Sequence, residues 1–372
     1  MDVAEIQEGT TRFFVPVQDS THSFPAGSAP VFFNRRMELN RDATVLLVAR
    51  LSPCHYLDVM GASGARGIRI AHECGIPVTI NDRDPRAALL IAKNAGPYAD
   101  NVEVTCEDAN VLMHTRRFDA VDIDPFGTPA YFLNAAAGSA KRFLFVTATD
   151  TAPLCGAHLK AGMRRYFARP MNTEYHSEVA LRILLGFAAR EIIKYDRGME
   201  PLFCFSREHF VRLHLQLSYG AGRADSTLSR IGYVHQCPCC PCRDEQQGLI
   251  AESRTCPACG ALLSPIGPLW LGAVCDHALV GALAEDMEAW TFGTQAPLRK
   301  LLALCRDELD TASFYDYHAL GKRWKCSPPG IETVLSHLQE QGFAASRTHH
   351  AGTGIKTNAP PDTIRDALLM RG

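Results

Sequence analysis

From Leu51 onward, short apolar runs alternate with stretches of helical spacing. Runs that predict strands fall at Cys54–Asp58, Val78–Asn81, Val102–Cys106, Ala120–Asp124 and Phe143–Thr147. Between and after them, helices are predicted near Gly67–Cys74, Pro85–Gly96, Pro129–Ala137 and Glu178–Tyr195. This alternation belongs to an α/β chain with a doubly wound sheet. Leu202–Ser206 and Phe210–Ser218 read as two closing strands, the second with Val211, Leu213, Leu215 and Leu217 at alternate positions. Gly and Ser residues between 220 and 232 then punctuate the chain before a Cys-rich insert that ends near Gly267-Pro268. Beyond it, Leu279–Trp290 and Leu298–Leu309 have helical spacing. The last part reads as a helix (Tyr315–Arg323), a second helix opened by Pro328-Pro329 (Gly330–Gln341), and a Gly-rich basic ribbon from Phe343 to Asn358. That order is winged-helix-like. The expected organisation is an N-terminal segment over 1–50, an α/β domain over 51–232, the insert over 233–267 and a C-terminal α+β domain over 268–372.

Composition narrows the function classes. With 372 residues, 47% hydrophobic and 21% charged, the chain can bury a sizeable core. Its longest apolar helical stretch, Val179–Ile193, is interrupted by Arg182, Arg190 and Glu191 and falls short of the roughly 20 residues of a membrane span. The acidic start at Met1-Asp2 lacks a basic and apolar leader, so no export signal and a cytoplasmic location are expected. A net charge of −2 argues against indiscriminate coating of nucleic acid and makes any phosphate binding local. Two segments are candidates for it: the acid-free run Thr151–Thr173, with Lys160, Arg164, Arg165 and Arg169, and the C-terminal ribbon with Arg347 and Lys356.

Carboxylates recur at successive strand ends, where open α/β sheets bind ligands. Asp58 precedes a loop with Gly61, Gly64 and Gly67; Asp82 ends the second strand, Asp108-Ala109 follow the third, and Asp124-Pro125-Phe126-Gly127-Thr128-Pro129 follow the fourth. A dinucleotide loop spaces its glycines two and then three apart. Here the spacing is three and three behind an acid, which suits the methionine part of S-adenosylmethionine. Asp82 is then placed for ribose hydroxyls and Asp108-Ala109 for an adenine edge. Asp124 and the Pro125 carbonyl supply acceptors for the N–H groups of a planar aromatic amine, on which Phe126 can stack. Each acid alone reads as a cap or a solubilising loop residue; four in order at consecutive strand ends do not. A nicotinamide-dependent oxidoreductase would account for the sheet alone, and a non-catalytic zinc-ribbon and winged-helix module for the C-terminal half alone.

Six of the fourteen Cys cluster. Cys237 and Cys240 form one Cys-x-x-Cys knuckle and Cys256 and Cys259 another, fifteen residues apart, as in structural zinc sites with four thiolates. Cys239 and Cys242 are the alternative ligands, and an iron–sulfur cluster is the alternative metal centre.

Further motifs join these residues: Pro30-Val31-Phe32-Phe33-Asn34, Asn40-Arg41-Asp42, Asp122-Ile123 ahead of Asp124, Val146-Thr147-Ala148-Thr149-Asp150 and Leu154-Cys155-Gly156-Ala157. Phe314-Tyr315-Asp316 and Arg347-Thr348-His349 with Gly354-Ile355-Lys356-Thr357 extend them to the C-terminal domain. With them the chain resembles, nearly end to end, the tRNA (guanine-26, N2-)dimethyltransferases of archaeal type. The resemblance implies a Rossmann-like class I methyltransferase domain, S-adenosylmethionine as methyl donor and tRNA as partner, with no obligate protein partner and no membrane. It further implies that Arg41 and Arg66 hold the donor's carboxylate end, Asp82 its ribose, and Asp108 with Ala109 its adenine. Asp124 becomes the catalytic acceptor, and Phe126 with Phe32 opposite sandwiches the target guanine. Two positions depart from the family pattern: Arg35 stands where Pro is usual, and Thr128 where Ser is usual. The family does not uniformly carry the Cys-rich insert, which reads as a zinc-stabilised element.

Overall fold

The computed structural model describes residues 1–17 and 31–370. Pro30, at the head of one motif, lies outside the described residues. The chain divides into two compact units, one of residues 1–147, 214–218 and 278–303, the other of 148–213, 219–277 and 304–372.

The first unit opens on an antiparallel hairpin of β1 (Val3–Glu8) and β2 (Thr11–Pro16), turned at Gly9 with φ +55°. Phe13 and Val15 bury their side chains with Phe33 and Ala65. The helix Glu38–Leu51 follows and stops at Ser52, which takes the left-handed conformation. Pattern reading assigned no element before Leu51. In this helix Asn40, Arg41, Asp42 and Thr44 are buried alongside Val45 to Val48, so no polar stripe marks a solvent face.

The parallel sheet then builds in βα units: β3 (Tyr56–Asp58), helix Ala65–Glu73, β4 (Val78–Asn81), helix Pro85–Ala95, β5 (Val102–Thr105), helix Ala109–Thr115, β6 (Phe118–Ile123), helix Leu133–Ser139 and β7 (Ala140–Ala148). Helix starts follow from capping. Asp84 accepts from the Arg86 amide ahead of Pro85, and Asp108 accepts from the amides of Asn110 and Val111. The helix expected from Pro129 begins at Leu133 instead, after a turn in which the amides of Phe132 and Leu133 donate to the Pro129 carbonyl.

Spatial order in the sheet is β5-β4-β3-β6-β7, and residues 214–218 of a later strand continue it beyond β7. The chain runs outward from β3 to β5, then returns to the other side of β3 for β6 and β7. At that reversal the loops leaving β3 and β6 diverge and open a crevice at their carboxyl ends. Tyr56 pairs with Ala120 and Asp58 with Asp122, so the two central strands end in adjacent acids. Val121, Ile123, Leu144, Phe145 and Val146 are wholly buried and fill the sheet on both faces.

In the second unit the helix His176–Ile192 is buried along most of its length. It leads to β8 (Arg197–Pro201), β9 (Phe205–Arg207) and β10 (Phe210–Tyr219), with Phe210 opposite Arg207 in the antiparallel pair. The strand expected over Leu202–Ser206 is split, because Phe203 bridges to Cys275 and the Cys204 amide donates to the Val274 carbonyl. β11 (Ile231–Gln236) is the centre of an antiparallel sheet between β12 (Arg243–Gln247) and β13 (Ser264–Trp270). The Cys-rich turns hang from this sheet. The C-terminal part has β14 (Tyr315–Asp316), helices Tyr317–Trp324 and Ile331–Glu340, β15 (Ala345–Arg347), β16 (Gly354–Thr357) and helix Pro361–Leu369. Leu320, Val334, Leu338, Ile355, Ile364 and Leu368 make its core, in the winged-helix-like order expected. Among the described residues, no helix is long and apolar enough to cross a membrane.

Candidate active site

The loop after β3 is shaped by close packing as much as by ligand access. A Cβ on Gly61 would lie 2.4 Å from Ile80 Cγ2, and one on Gly67 would lie 2.6 Å from Ile80 Cγ1, so both positions need glycine to seat the loop on β4. Asp82 accepts from the Ala62 amide at 2.9 Å and thereby ties this loop to the end of β4. Asp58 is buried and accepts from the Gly67 amide at 3.0 Å. Burial pushes its carboxyl up to about 7, with Asp122 and Asp124 adding to the rise and Arg66 opposing it. Asp108 is exposed and caps the helix that begins at Ala109, which is buried.

Arg66 is the hub of the crevice. Its Nη1 donates to Asp122 at 3.2 Å, to Thr44 at 3.2 Å and to Asn40 at 3.4 Å, while its Nη2 donates to Asp124. Burial disfavours the charged guanidinium, but Asp122 and Asp124 outweigh that and keep it protonated. The Tyr56 hydroxyl donates to the same Asp122 oxygen that Arg66 uses. Arg41 grips Glu8 through Nε at 2.7 Å and Nη2 at 2.5 Å, and its guanidinium lies 5.1 Å from the Phe33 ring centre. Burial alone would raise the Glu8 carboxyl, but Arg41 and Arg69 bring it below its ordinary value.

Sequence reasoning did not single out Glu8, Tyr56 or Asp122. Glu8 sits in a hairpin that no pattern marked. Asp122 carried a signal, because it precedes Asp124 by two and so shares its face of the strand.

Asp124 stands just past β6 and Pro125 is buried beneath the turn that Gly127 makes at φ +103°. Phe126 projects with 83% of its surface exposed. Phe32 meets it edge-on, with ring centres 5.4 Å apart and planes at 63°. An acceptor, a buried carbonyl-bearing proline and two accessible aromatic faces therefore share the mouth of the crevice.

Cys237, Cys240, Cys256 and Cys259 have their sulfurs within 4.8 Å of one another, with Cys237–Cys259 at 3.5 Å and Cys240–Cys256 at 3.4 Å. Thiolates about 2.3 Å from one zinc lie about 3.8 Å apart, so the four fit a single tetrahedral ion. The amides of Cys239 and Cys240 point at the Cys237 sulfur at 3.3 and 3.4 Å. Cys239 and Cys242 stay outside this group of four.

The expected phosphate-binding cations divide. Lys160, Arg164 and Arg169 are exposed on and after the helix Leu159–Tyr166, with Met163 and Phe167 exposed among them. Arg165 is tied to Asp150 at 3.0 Å. Arg347 pairs with Glu332 at 2.8 Å. Lys356 overturns its expectation: it is wholly buried, with Nζ 3.0 Å from Glu178 Oε1 and 2.9 Å from Glu308 Oε1. Its charge is spent on two interior carboxylates and cannot meet a phosphate.

The fold, with its crevice at the ends of the central strands, is that of a class I methyltransferase of Rossmann type. Residues 9–369 match the N2,N2-dimethylguanosine tRNA methyltransferase family, and the chain belongs to it. A tRNA (guanine(26)-N(2))-dimethyltransferase of Methanoregula boonei is 60% identical over 368 residues, 99% of this chain and 98% of its own. The enzyme of the same name from Methanosarcina mazei is 45% identical over 379 residues, covering 98% of each chain. The structure of Trm1 from Pyrococcus horikoshii with S-adenosyl-L-methionine superposes with a TM-score of 0.88 at 36% identity, covering 98% of this chain and 99% of that one.

Proposed function

We propose that this chain transfers methyl groups from S-adenosylmethionine to the exocyclic amine, N2, of guanosine 26 in tRNA, giving N2-methyl- and N2,N2-dimethylguanosine. The observation that carries the reading is Asp124 at the switch point of the sheet, flanked by exposed Phe126 and its neighbour Phe32. The donor supplies an electrophilic methyl group. Everything else is positioning and proton removal by the protein. Asp124 and the Pro125 carbonyl accept the two N–H groups, which aims the N2 lone pair. As the N–C bond forms and the methyl leaves the donor's sulfur, which keeps the bonding pair as a neutral thioether, Asp124 takes the proton that N2 must lose. Phe32 and Phe126 replace the stacking a base gives up when it is extruded from the tRNA. Arg41 and Arg66 face the donor's carboxylate, Asp58 its ammonium, Asp82 its ribose and Asp108 with Ala109 its adenine. The chain works in the reducing cytoplasm, which suits fourteen Cys used as thiols and metal ligands. Mass spectrometry of nucleosides from unmodified tRNA incubated with the protein and donor tests the reading. Methylated guanosine must appear, and must vanish when guanosine 26 is replaced.

Zinc held by Cys237, Cys240, Cys256 and Cys259 supports the ribbon around β11. Elemental analysis of protein purified without chelator is expected to find one zinc per chain. Cys256→Ser should lose that zinc and lower the melting temperature, because structural zinc contributes folding free energy directly. Iron, or no metal, in the wild-type protein would refute the assignment.

The exposed run around the helix Leu159–Tyr166 is proposed to grip tRNA phosphates. Lys160→Ala with Arg164→Ala should weaken tRNA binding and reduce the slope of log affinity against log salt by roughly 0.7 to 0.9 per lost contact. Donor affinity should stay constant. An unchanged slope would return these cations to an ordinary solvated face.

A further inference from the structure

Arg66 joins two carboxylates that differ in what surrounds them. On its Nη1 side Asp122 is fully buried, and the Tyr56 hydroxyl and Thr44 Oγ1 close the same corner. On its Nη2 side Asp124 keeps 21% of its side chain exposed at the crevice. One edge of the guanidinium is therefore fixed in the interior, and the other holds a partner that a solute can reach. While that contact stands, Asp124 Oδ2, an oxygen of the proposed proton acceptor, is engaged by a cation.

We propose that Asp122, braced by Tyr56, is a positioning residue that keeps Arg66 in place for an exchange of carboxylates, in which the donor's carboxylate takes the Nη2 edge and frees Asp124 for the guanine amine. The proposal deepens the reading of the site given above and rests on it. The exchange balances in charge, since one carboxylate replaces another on the same guanidinium. It places donor binding before productive insertion of the base. It also makes Asp124 a competitor of the donor in the empty site, so that only molecules with Arg66 released bind freely.

Titration calorimetry of the full chain with S-adenosylhomocysteine, which retains the carboxylate and cannot be turned over, separates the outcomes. Asp124→Asn removes the competing charge, and affinity should rise about three- to tenfold, as expected when a competing state populated at roughly 70–90% is removed. Tyr56→Phe deletes only the hydroxyl that braces Asp122. It should shrink that gain when combined with Asp124→Asn, and Asp122→Asn should abolish it. Unchanged melting temperatures for Tyr56→Phe guard against a folding effect. Equal affinity of wild type and Asp124→Asn, or a gain that persists undiminished in both double variants, overturns the exchange while leaving the donor site standing. Failure of the wild type to bind S-adenosylhomocysteine overturns the donor-site reading and the exchange together.

Discussion

Asp124→Ala is expected to cut methyl transfer to unmodified tRNA by at least about 100-fold, the lower bound for losing a positioned proton acceptor. Ala removes both the carboxylate that orients N2 and the only base proposed to take its proton. The Pro125 carbonyl remains and can hold one N–H, so the residual rate should reflect proximity without proton removal. Donor affinity should be no weaker than in the wild type, because Asp124 is assigned to the guanine and its loss relieves Arg66. The measurement pairs initial rates of methyl incorporation with donor titration on the same preparation. Donor binding that collapses with activity would move Asp124 from the base to the donor, and near-normal rates would remove it from the chemistry.

A second large effect belongs to stability. Lys356→Met is expected to cost about 3–5 kcal/mol, as when one partner of a buried ion pair is removed. Glu178 and Glu308 would then remain in the interior without the ammonium they share at 2.9 Å. Arg182 still holds Glu178 at 2.6 Å, and His349 with Thr348 still holds Glu308, each at 2.6 Å, so the unit should weaken rather than unfold outright. The pH dependence has a definite sign. In the wild type, burial raises both carboxyls, but Lys356, His350 and Arg182 together outweigh it for Glu178, and His349 with Lys356 for Glu308, so both lie below their ordinary values. Their stabilisation is present above the unfolded carboxylate range and is lost only in strong acid. Without Lys356 each carboxyl loses one of its counter-charges and takes up a proton at a higher pH than in the wild type. The gap between the two proteins should therefore narrow on acidification toward about pH 5, where unfolded carboxyls begin to take up protons. Denaturant unfolding at several pH values reads this directly. A constant gap, or none, would show that Lys356 is not the counter-ion of these acids.

The central strands of the parallel sheet were legible because they are buried on both faces and rich in apolar residues between helical stretches. Tyr56–Asp58 and Val78–Asn81 lie within a residue or two of expectation for that reason, and the partly buried edge strand Val102–Thr105 is equally close. Helix Glu38–Leu51 escaped notice because it is buried all round and has no periodic contrast to read. At the site, Asp58, Arg66 and Asp124 were picked out from position and resemblance. What the sequence could not convey is that Asp124 and Asp122 share the Arg66 guanidinium, with Asp58 near enough to feel its charge, since that depends on the register of β3 against β6. Lys356 failed for a related reason. A lysine in a Gly-rich basic ribbon looks solvated until tertiary packing places two acids far from it in sequence, Glu178 in a helix and Glu308 just past one, around it.

The edge-on contact between Phe32 and Phe126 bears on how the enzyme would choose its base. A nucleobase adds about 3.4 Å to a stack, so the two rings must part before one can lie between them. Breaking their contact costs about 0.5–1.5 kcal/mol, and stacking a base on an aromatic face returns about 1–3 kcal/mol, whichever base it is. Stacking therefore rewards adenine, cytosine and uracil as it rewards guanine and does not discriminate among them. On the roles proposed for them, the acceptors at Asp124 and Pro125 would make the choice, since they reward a base only where it presents N–H groups as guanine N2 does. In the proposed site the aromatic pair would act as an indiscriminate toll on extrusion, and fidelity would reside in a few ångströms of hydrogen-bond geometry beneath it.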